Sequence, residues 1–215
     1  MELYDKLTAH YPAVHFSVSQ TQTVIEEDEP QAATRSITFE HSGTDVLKIN
    51  KSLFVAVRDE VYDAATVKRT SSPSESVAAP AEVCDGALAT ESPTRFLSYV
   101  ELKSACTAGN VLKARRQILA SRQLMNRVAK CCEIPLCAFI QQGIIVTQPI
   151  TDETLTKARQ RRRRDDDLRL PFSSSRFLLN LIGGKAVDAE TGMKLWHFSK
   201  DNHFSMILGL APSDK

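Results

Sequence analysis

The sequence predicts an α/β fold built on a mixed sheet, and three stretches carry that expectation. Residues 82–90 read as a short strand, residues 96–104 as a second one rich in aromatic and β-branched side chains, and residues 136–147 form a third apolar run. Between them, residues 111–130 repeat apolar positions at helical spacing. Strand, strand, helix, strand in that order is an α/β arrangement with a mixed sheet.

The elements follow in chain order. Ile37–Glu40 and Val46–Ile49 are β-branched runs separated by His41-Ser42-Gly43-Thr44-Asp45, a turn-forming segment that predicts a hairpin. Leu53–Tyr62 fits two periods: Leu53, Val55 and Val57 alternate, whereas Phe54, Val57 and Val61 suit a helix. Residues 69–81, rich in Ser, Pro and Ala, read as an exposed loop. Glu82–Thr90 is a strand, Glu91–Arg95 a turn held out of the sheet by Pro93, and Phe96–Ser104 a second strand. A helix over Val111–Lys130 buries Val111, Leu112, Ile118, Leu119, Met125 and Val128 and turns Arg and Lys outward. Leu136–Thr147 is a buried strand expected to break near Gln141-Gln142-Gly143. Thr151 caps a further helix whose first turn carries Asp152 and Glu153 at the positive end of the dipole and which must stop before Pro171. Residues 176–210 are apolar enough to return to the core. The organisation is therefore a core over residues 1–150, containing the 69–81 loop, followed by a basic helix and a packing segment over 151–215.

Composition bounds the function. The 215 residues are 42% apolar and 25% charged, enough for a real core, and the net charge is only +1. Attraction to a polyanion must then come from local patches. No run approaches the roughly 18–20 apolar residues that span a bilayer, and the acidic N-terminus lacks the pattern of a secretory leader, so a cytoplasmic protein with no membrane partner is expected. Five cysteines cannot all pair. Cys131, Cys132 and Cys137 lack the spacing of a zinc site and read as buried or half-buried thiols. His197 and His203, on either side of Asp201, read as surface side chains.

Chemistry concentrates on Asp85 and on Glu101-Leu102-Lys103. On a strand, Glu101 and Lys103 share a face and Leu102 points away. If Thr90 pairs with Phe96, Asp85 falls opposite Glu101, and cross-strand partners have Cβ atoms about 4.5–5.5 Å apart. Two carboxylates so placed, with the Leu102 carbonyl as a third oxygen, suit a hard cation such as Mg²⁺ or Mn²⁺. Lys103 would then hold the attacking water or offset charge on the phosphate. A slip of one residue would send Asp85 to the wrong face.

Asp85-Gly86, a hairpin connection and the strand ending Tyr99-Val100-Glu101-Leu102-Lys103 resemble the PD-(D/E)xK nuclease superfamily, which includes restriction endonucleases, recombination nucleases and antiphage effectors. The resemblance covers roughly residues 37–147 and implies a restriction-endonuclease-like αβββαβ core with its mixed sheet flanked by helices. It implies metal binding by Asp85 and Glu101, water activation by Lys103, and a role for Gln117 on the helix after the motif. Cys84 stands where the family's name-giving Pro would be. The family's frequent additional acid has four candidates: Glu26, Glu27, Glu40 and Glu60.

The expected activity is Mg²⁺- or Mn²⁺-dependent cleavage of DNA, with a homodimer as the natural way to cut both strands. Arg115 and Arg116 on the helix after the motif, and Arg161 and Arg162 in the run Arg159–Arg164, are the candidate phosphate contacts. Arg161, Arg162 and Arg163 have Asp165, Asp166 and Asp167 four residues on, so intrahelical pairing competes with that role. Two other functions fit the same residues. One is a non-catalytic scaffold that binds nucleic acid or protein, and the other is an RNA-directed nuclease or toxin.

Overall fold

A computed structural model describes residues 1–27, 36–41, 43–69, 82–168 and 173–199. The chain runs through α1 (Glu2–His10), β1 (Phe16–Ser19), β2 (Gln22–Glu26), β3 (Ser36–Glu40), β4 (Val46–Asn50), α2 (Lys51–Arg69), β5 (Gly86–Thr90) and β6 (Phe96–Lys103). It continues through α3 (Ala108–Cys131), β7 (Ile140–Thr147), α4 (Asp152–Asp167), α5 (Ser174–Ile182) and β8 (Lys194–Ser199). Six strands form one sheet in the order β1-β4-β5-β6-β7-β8, and β2 and β3 pair as a separate two-stranded sheet. The pairs β1–β4, β4–β5 and β5–β6 are antiparallel, whereas β6–β7 and β7–β8 are parallel, so the sheet is mixed.

β6 lies inside the sheet, and its six interior residues are all buried. Alternation sends Leu97 and Tyr99 into the core shared with Leu53, Phe54 and Val57 of α2 and Val111, Ile118 and Met125 of α3. Val100 and Leu102 face the other way, onto Ile25 of β2 and Phe39 of β3. One face of the sheet is thus covered by helices and the other by the small sheet, leaving both faces of β6 dry. A carboxylate placed on such a strand has no water to stabilise its charge.

α3 starts three residues before the expected Val111, because Thr107 caps it: the Thr107 hydroxyl accepts the Asn110 N–H at 3.2 Å. Its buried side chains Val111, Ala114, Ile118, Ser121, Leu124, Met125 and Val128 follow the i, i+3, i+4 stripe of a helix laid on a sheet. β7 runs unbroken from Ile140 through Gln141-Gln142-Gly143 to Thr147, against the expected interruption. Each of the polar residues there has a partner: Gln141 accepts from the Tyr99 hydroxyl at 3.1 Å, and Gln142 donates to Ser98 at 2.8 Å. Gly143 serves close packing. A Cβ there would lie 2.5 Å from Leu195 Cδ2 and 3.0 Å from Ile118 Cγ2, both side chains fully buried. Gly143→Ala should therefore cost about 1–3 kcal/mol through overpacking, read as a lower urea midpoint with unchanged slope.

The expected hairpin between Ile37–Glu40 and Val46–Ile49 does not form. β3 pairs with β2, and β4 lies between β1 and β5. Gly43 does turn the chain, at φ +72°, but the turn's N–H groups go elsewhere: His41 donates to Thr21 O at 2.8 Å and Gly43 to Gln20 O at 3.2 Å. The His41 ring is itself buried between Thr23 Oγ1 and the Thr44 carbonyl, both at 3.1 Å. The chain therefore crosses from one sheet layer to the other at this point. α2 resolves the ambiguous Leu53–Tyr62 stretch as helix. Of the 69–81 loop, Arg69 ends α2 and residues 70–81 lie outside the described residues.

The segment after residue 150 joins the same sheet. Thr151 caps α4 as expected, accepting the Thr154 N–H at 3.2 Å, and β8 adds a parallel strand beside β7. That pairing half-buries His197, expected at the surface, with Nε2 2.9 Å from Thr147 Oγ1 and 3.5 Å from Cys106 Sγ, and burial lowers its pKa. Asp201 and His203 lie outside the described residues. All five cysteines are free thiols; Cys131 and Cys137 are exposed, contrary to expectation, because Cys131 ends α3 and Cys137 sits in the turn before β7. Among the described residues, no helix is long and apolar enough to cross a membrane.

Candidate metal centre

The site is assembled where β4, β5 and β6 end together. Thr90 pairs with Phe96 and Gly86 with Val100, and one further step in that register brings Asp85 to Glu101. The Thr90 hydroxyl donates to Thr94 O at 2.8 Å and accepts the Phe96 N–H at 3.3 Å, which fixes the hairpin's phase. Asp85 N–H donates to Val100 O at 3.1 Å, and Asp85 Oδ2 accepts the Leu102 N–H at 2.8 Å. Since N–H and C=O of one residue on a strand point to the same side, the Leu102 carbonyl faces the Asp85 side as well.

α3 holds the approach to Asp85 in place. Ser121 Oγ accepts the Cys84 N–H at 2.9 Å, and Gln117 Nε2 donates to Val83 O at 3.3 Å. Gly86 allows close packing here, because a Cβ would lie 2.9 Å from Ile25 Cδ1 and 3.1 Å from the Ile49 carbonyl. The expected strand from Glu82 accordingly starts only at Gly86, with 82–85 spent on this approach.

Glu27, just past the end of β2, joins the pair. One carboxylate oxygen from each of Glu27, Asp85 and Glu101 lies within 4.8 Å of the others. Two ammonium groups face them. Lys103 bonds to Glu101 Oε1, while Lys51, the first residue of α2, lies 3.4 Å from Asp85 Oδ1 and 3.8 Å from Glu27 Oε1. Glu101 Oε2 and Gln117 Oε1 are buried without a hydrogen-bond partner. Glu27, Asp85 and Gln117 line a cleft of about 300 Å³ between α2 and α3, with Glu101 buried beneath it, and its rim carries Arg58, Glu82 and Lys113.

Burial dominates the electrostatics. It pushes the Asp85 carboxyl up to about 6, with the Leu102 N–H acting the other way and Glu27 adding to the rise. Burial, and then the Asp85 charge, push Glu101 up to about 8 against the pull of Lys103. Carboxyls held above their ordinary range by burial beside other acids, at a cleft, are the pattern of candidate functional sites. All the side-chain donors here are hard oxygens, which suits Mg²⁺ or Mn²⁺, and the unsatisfied Glu101 Oε2 is an acceptor that a cation would satisfy.

Of the expected residues, Asp85, Glu101, Leu102, Lys103 and Gln117 come together. Among the four acids left open, Glu27 is the one that reaches the cluster. The arginines do not line the cleft. Arg115 is bonded to Asp188 at 2.7 Å, since its position on α3 faces the segment before β8 rather than the side shared by Lys113 and Gln117. Arg116, Arg161 and Arg162 are exposed, and Arg162 pairs with Asp166 at 3.5 Å, one of the intrahelical pairs the spacing allowed. The cations at the cleft are Lys51, Arg58, Lys103 and Lys113. Lys51 and Arg58 escaped sequence reasoning because the β4–β5 pairing that brings α2 to Asp85 is not encoded in any local motif. No family model, curated protein or solved structure matches this chain.

Proposed function

We propose that the chain is a divalent-metal-dependent phosphodiesterase of the PD-(D/E)xK type that cleaves DNA. The observation that carries this reading is the convergence of the Glu27, Asp85 and Glu101 carboxylates within 4.8 Å while Glu101 Oε2 stays buried and unpaired. Support also comes from element order. β4, β5 and β6 are antiparallel, α3 follows, and β7 returns parallel to β6, as in the core of that superfamily. Here α2 lies between the first two of those strands, a departure from the plain αβββαβ order.

Glu27, Asp85, Glu101 and the Leu102 carbonyl would hold the metal ion, which when bound supplies Lewis-acid polarisation of a phosphate and acidifies water. Asp85 is aimed by the Leu102 N–H, and Glu101 by its place on a buried strand. Lys103 stands on Glu101 at the cleft, where its ammonium can orient the attacking water or offset charge on the phosphate oxygens. Gln117 closes the cleft from α3 with its free carbonyl oxygen as an acceptor. On the rim, Arg58 is paired with Asp59 at 2.9 Å and Lys113 with Glu82 at 3.0 Å, which leaves Lys51 and Lys103 as the cations in contact with the acids.

The test is incubation of the purified protein with supercoiled plasmid, linear duplex, single-stranded DNA and RNA in Mg²⁺ or Mn²⁺. Metal-dependent, EDTA-sensitive cutting of DNA is the expected result. Cutting confined to RNA would move the activity to the RNA-directed alternative, and metal binding without any cutting would favour the non-catalytic scaffold.

A further inference from the structure

Lys51 occupies an unusual place among the cleft's cations. It follows directly on Asn50, which pairs with Gly86 next to Asp85, so the end of β4 delivers its ammonium between two of the three carboxylates. Its Nζ lies 3.4 Å from Asp85 Oδ1 and 3.8 Å from Glu27 Oε1. The two basic side chains that touch the acids differ in exposure: the Lys103 side chain is 13% exposed, the Lys51 side chain 28%. A lysine has a flexible stem and a strongly hydrated head, so once a cation takes over these carboxylates its ammonium can swing into water.

A divalent ion seated on Glu27 and Asp85 would share their oxygens with that ammonium. Like charges at such a distance in a partly buried cleft repel strongly. We propose that Lys51 is an exchangeable counter-cation: it neutralises Glu27 and Asp85 in the metal-free protein, yields to the incoming ion, and turns outward to water at the mouth of the cleft. The displaced ammonium then faces an anionic substrate. Substrate phosphate and metal therefore favour each other's binding through Lys51, a coupling that acts equally in both directions. This inference rests on the reading of Glu27, Asp85 and Glu101 as a metal site. It adds that the site carries its own competitor.

The test is calorimetric titration with Mn²⁺ at fixed pH and ionic strength of the wild type, Lys51→Met and Lys51→Arg. Lys51→Met should bind Mn²⁺ at least about tenfold more tightly, since a unit charge beside the ion has gone. Lys51→Arg, which keeps the charge, should bind like the wild type. A merely structural lysine would give the opposite, with Lys51→Met binding equally or more weakly, and that result overturns the proposal. If Lys51→Met does not fold, Lys51→Gln carries the same expectation. Wild type that binds Mn²⁺ with no gain in the neutral variants defeats the counter-cation alone, whereas no binding by any of the proteins defeats the metal site and this inference with it.

Discussion

Glu101→Gln should remove metal-dependent cleavage, with a rate loss of at least about 10²–10³-fold, the scale on which a single transition-state-stabilising group is felt. The substitution keeps shape and keeps an acceptor for Lys103, but removes the charge from the one carboxylate that is wholly buried on the central strand. Cleavage that survives it at near wild-type rate would contradict the assignment. Lys103→Met should lose activity on a similar scale while retaining Mn²⁺ binding, because Lys103 contacts Glu101 without being a ligand itself. A calorimetric titration alongside the rate measurement separates the two effects.

Asp85→Asn should make the metal-free protein more stable at pH 8. The Asp85 carboxyl is raised from 3.8 to about 6, and Glu101 from 4.5 to about 8, so the folded state holds protons that the unfolded chain has released. The slope of stability with pH follows the protons bound by the unfolded chain minus those bound by the folded one, which is negative here. The contribution of these two groups is thus fully present below about pH 4, falls as pH rises, and is lost by about pH 8. Neutralising Asp85 relieves burial of a charge and also lowers the repulsion on Glu101, while the Asn side-chain oxygen can still accept the Leu102 N–H. The gain should be roughly 2 kcal/mol, on the scale of one to two pK units, or several degrees in Tm for a chain of this size. The same variant should lose the thermal stabilisation that Mn²⁺ gives the wild type. Thermal melts in EDTA across pH 5–8, repeated with Mn²⁺, check both halves, and a less stable Asp85→Asn at pH 8 would contradict the account of burial.

The two predictions express one trade. Three carboxylates are held against two ammonium groups in a cleft that excludes much of the water, so the metal-free protein bears the electrostatic cost of a site built for a cation.

What the sequence revealed was local. Glu101 and Lys103 share a face because strands alternate, and Asp85 meets Glu101 because the connection from Glu91 to Arg95 sets the phase of one hairpin. Gln117 was reachable for a related reason, since it lies on the helix that crosses directly from β6 to β7. The missing parts depend on pairing between segments far apart. β1 and β2 are only four and five residues long, too short to announce themselves, yet they claim β4 and β3 and thereby dissolve the expected hairpin around Gly43. That rearrangement is also what brings Glu27 and Lys51 to the cleft. The arginine-rich runs drew attention through composition alone, whereas Arg115 is committed to Asp188, 73 residues away, by a contact that no local pattern encodes.

The central claim is that Glu27, Asp85 and Glu101 hold one divalent cation, and anomalous diffraction from Mn²⁺-soaked crystals tests it most directly. The account predicts a single strong anomalous peak in bonding contact with all three carboxylates, with Lys51 withdrawn from Asp85. No peak at this position, or a peak elsewhere with Lys51 still between Glu27 and Asp85, would contradict it.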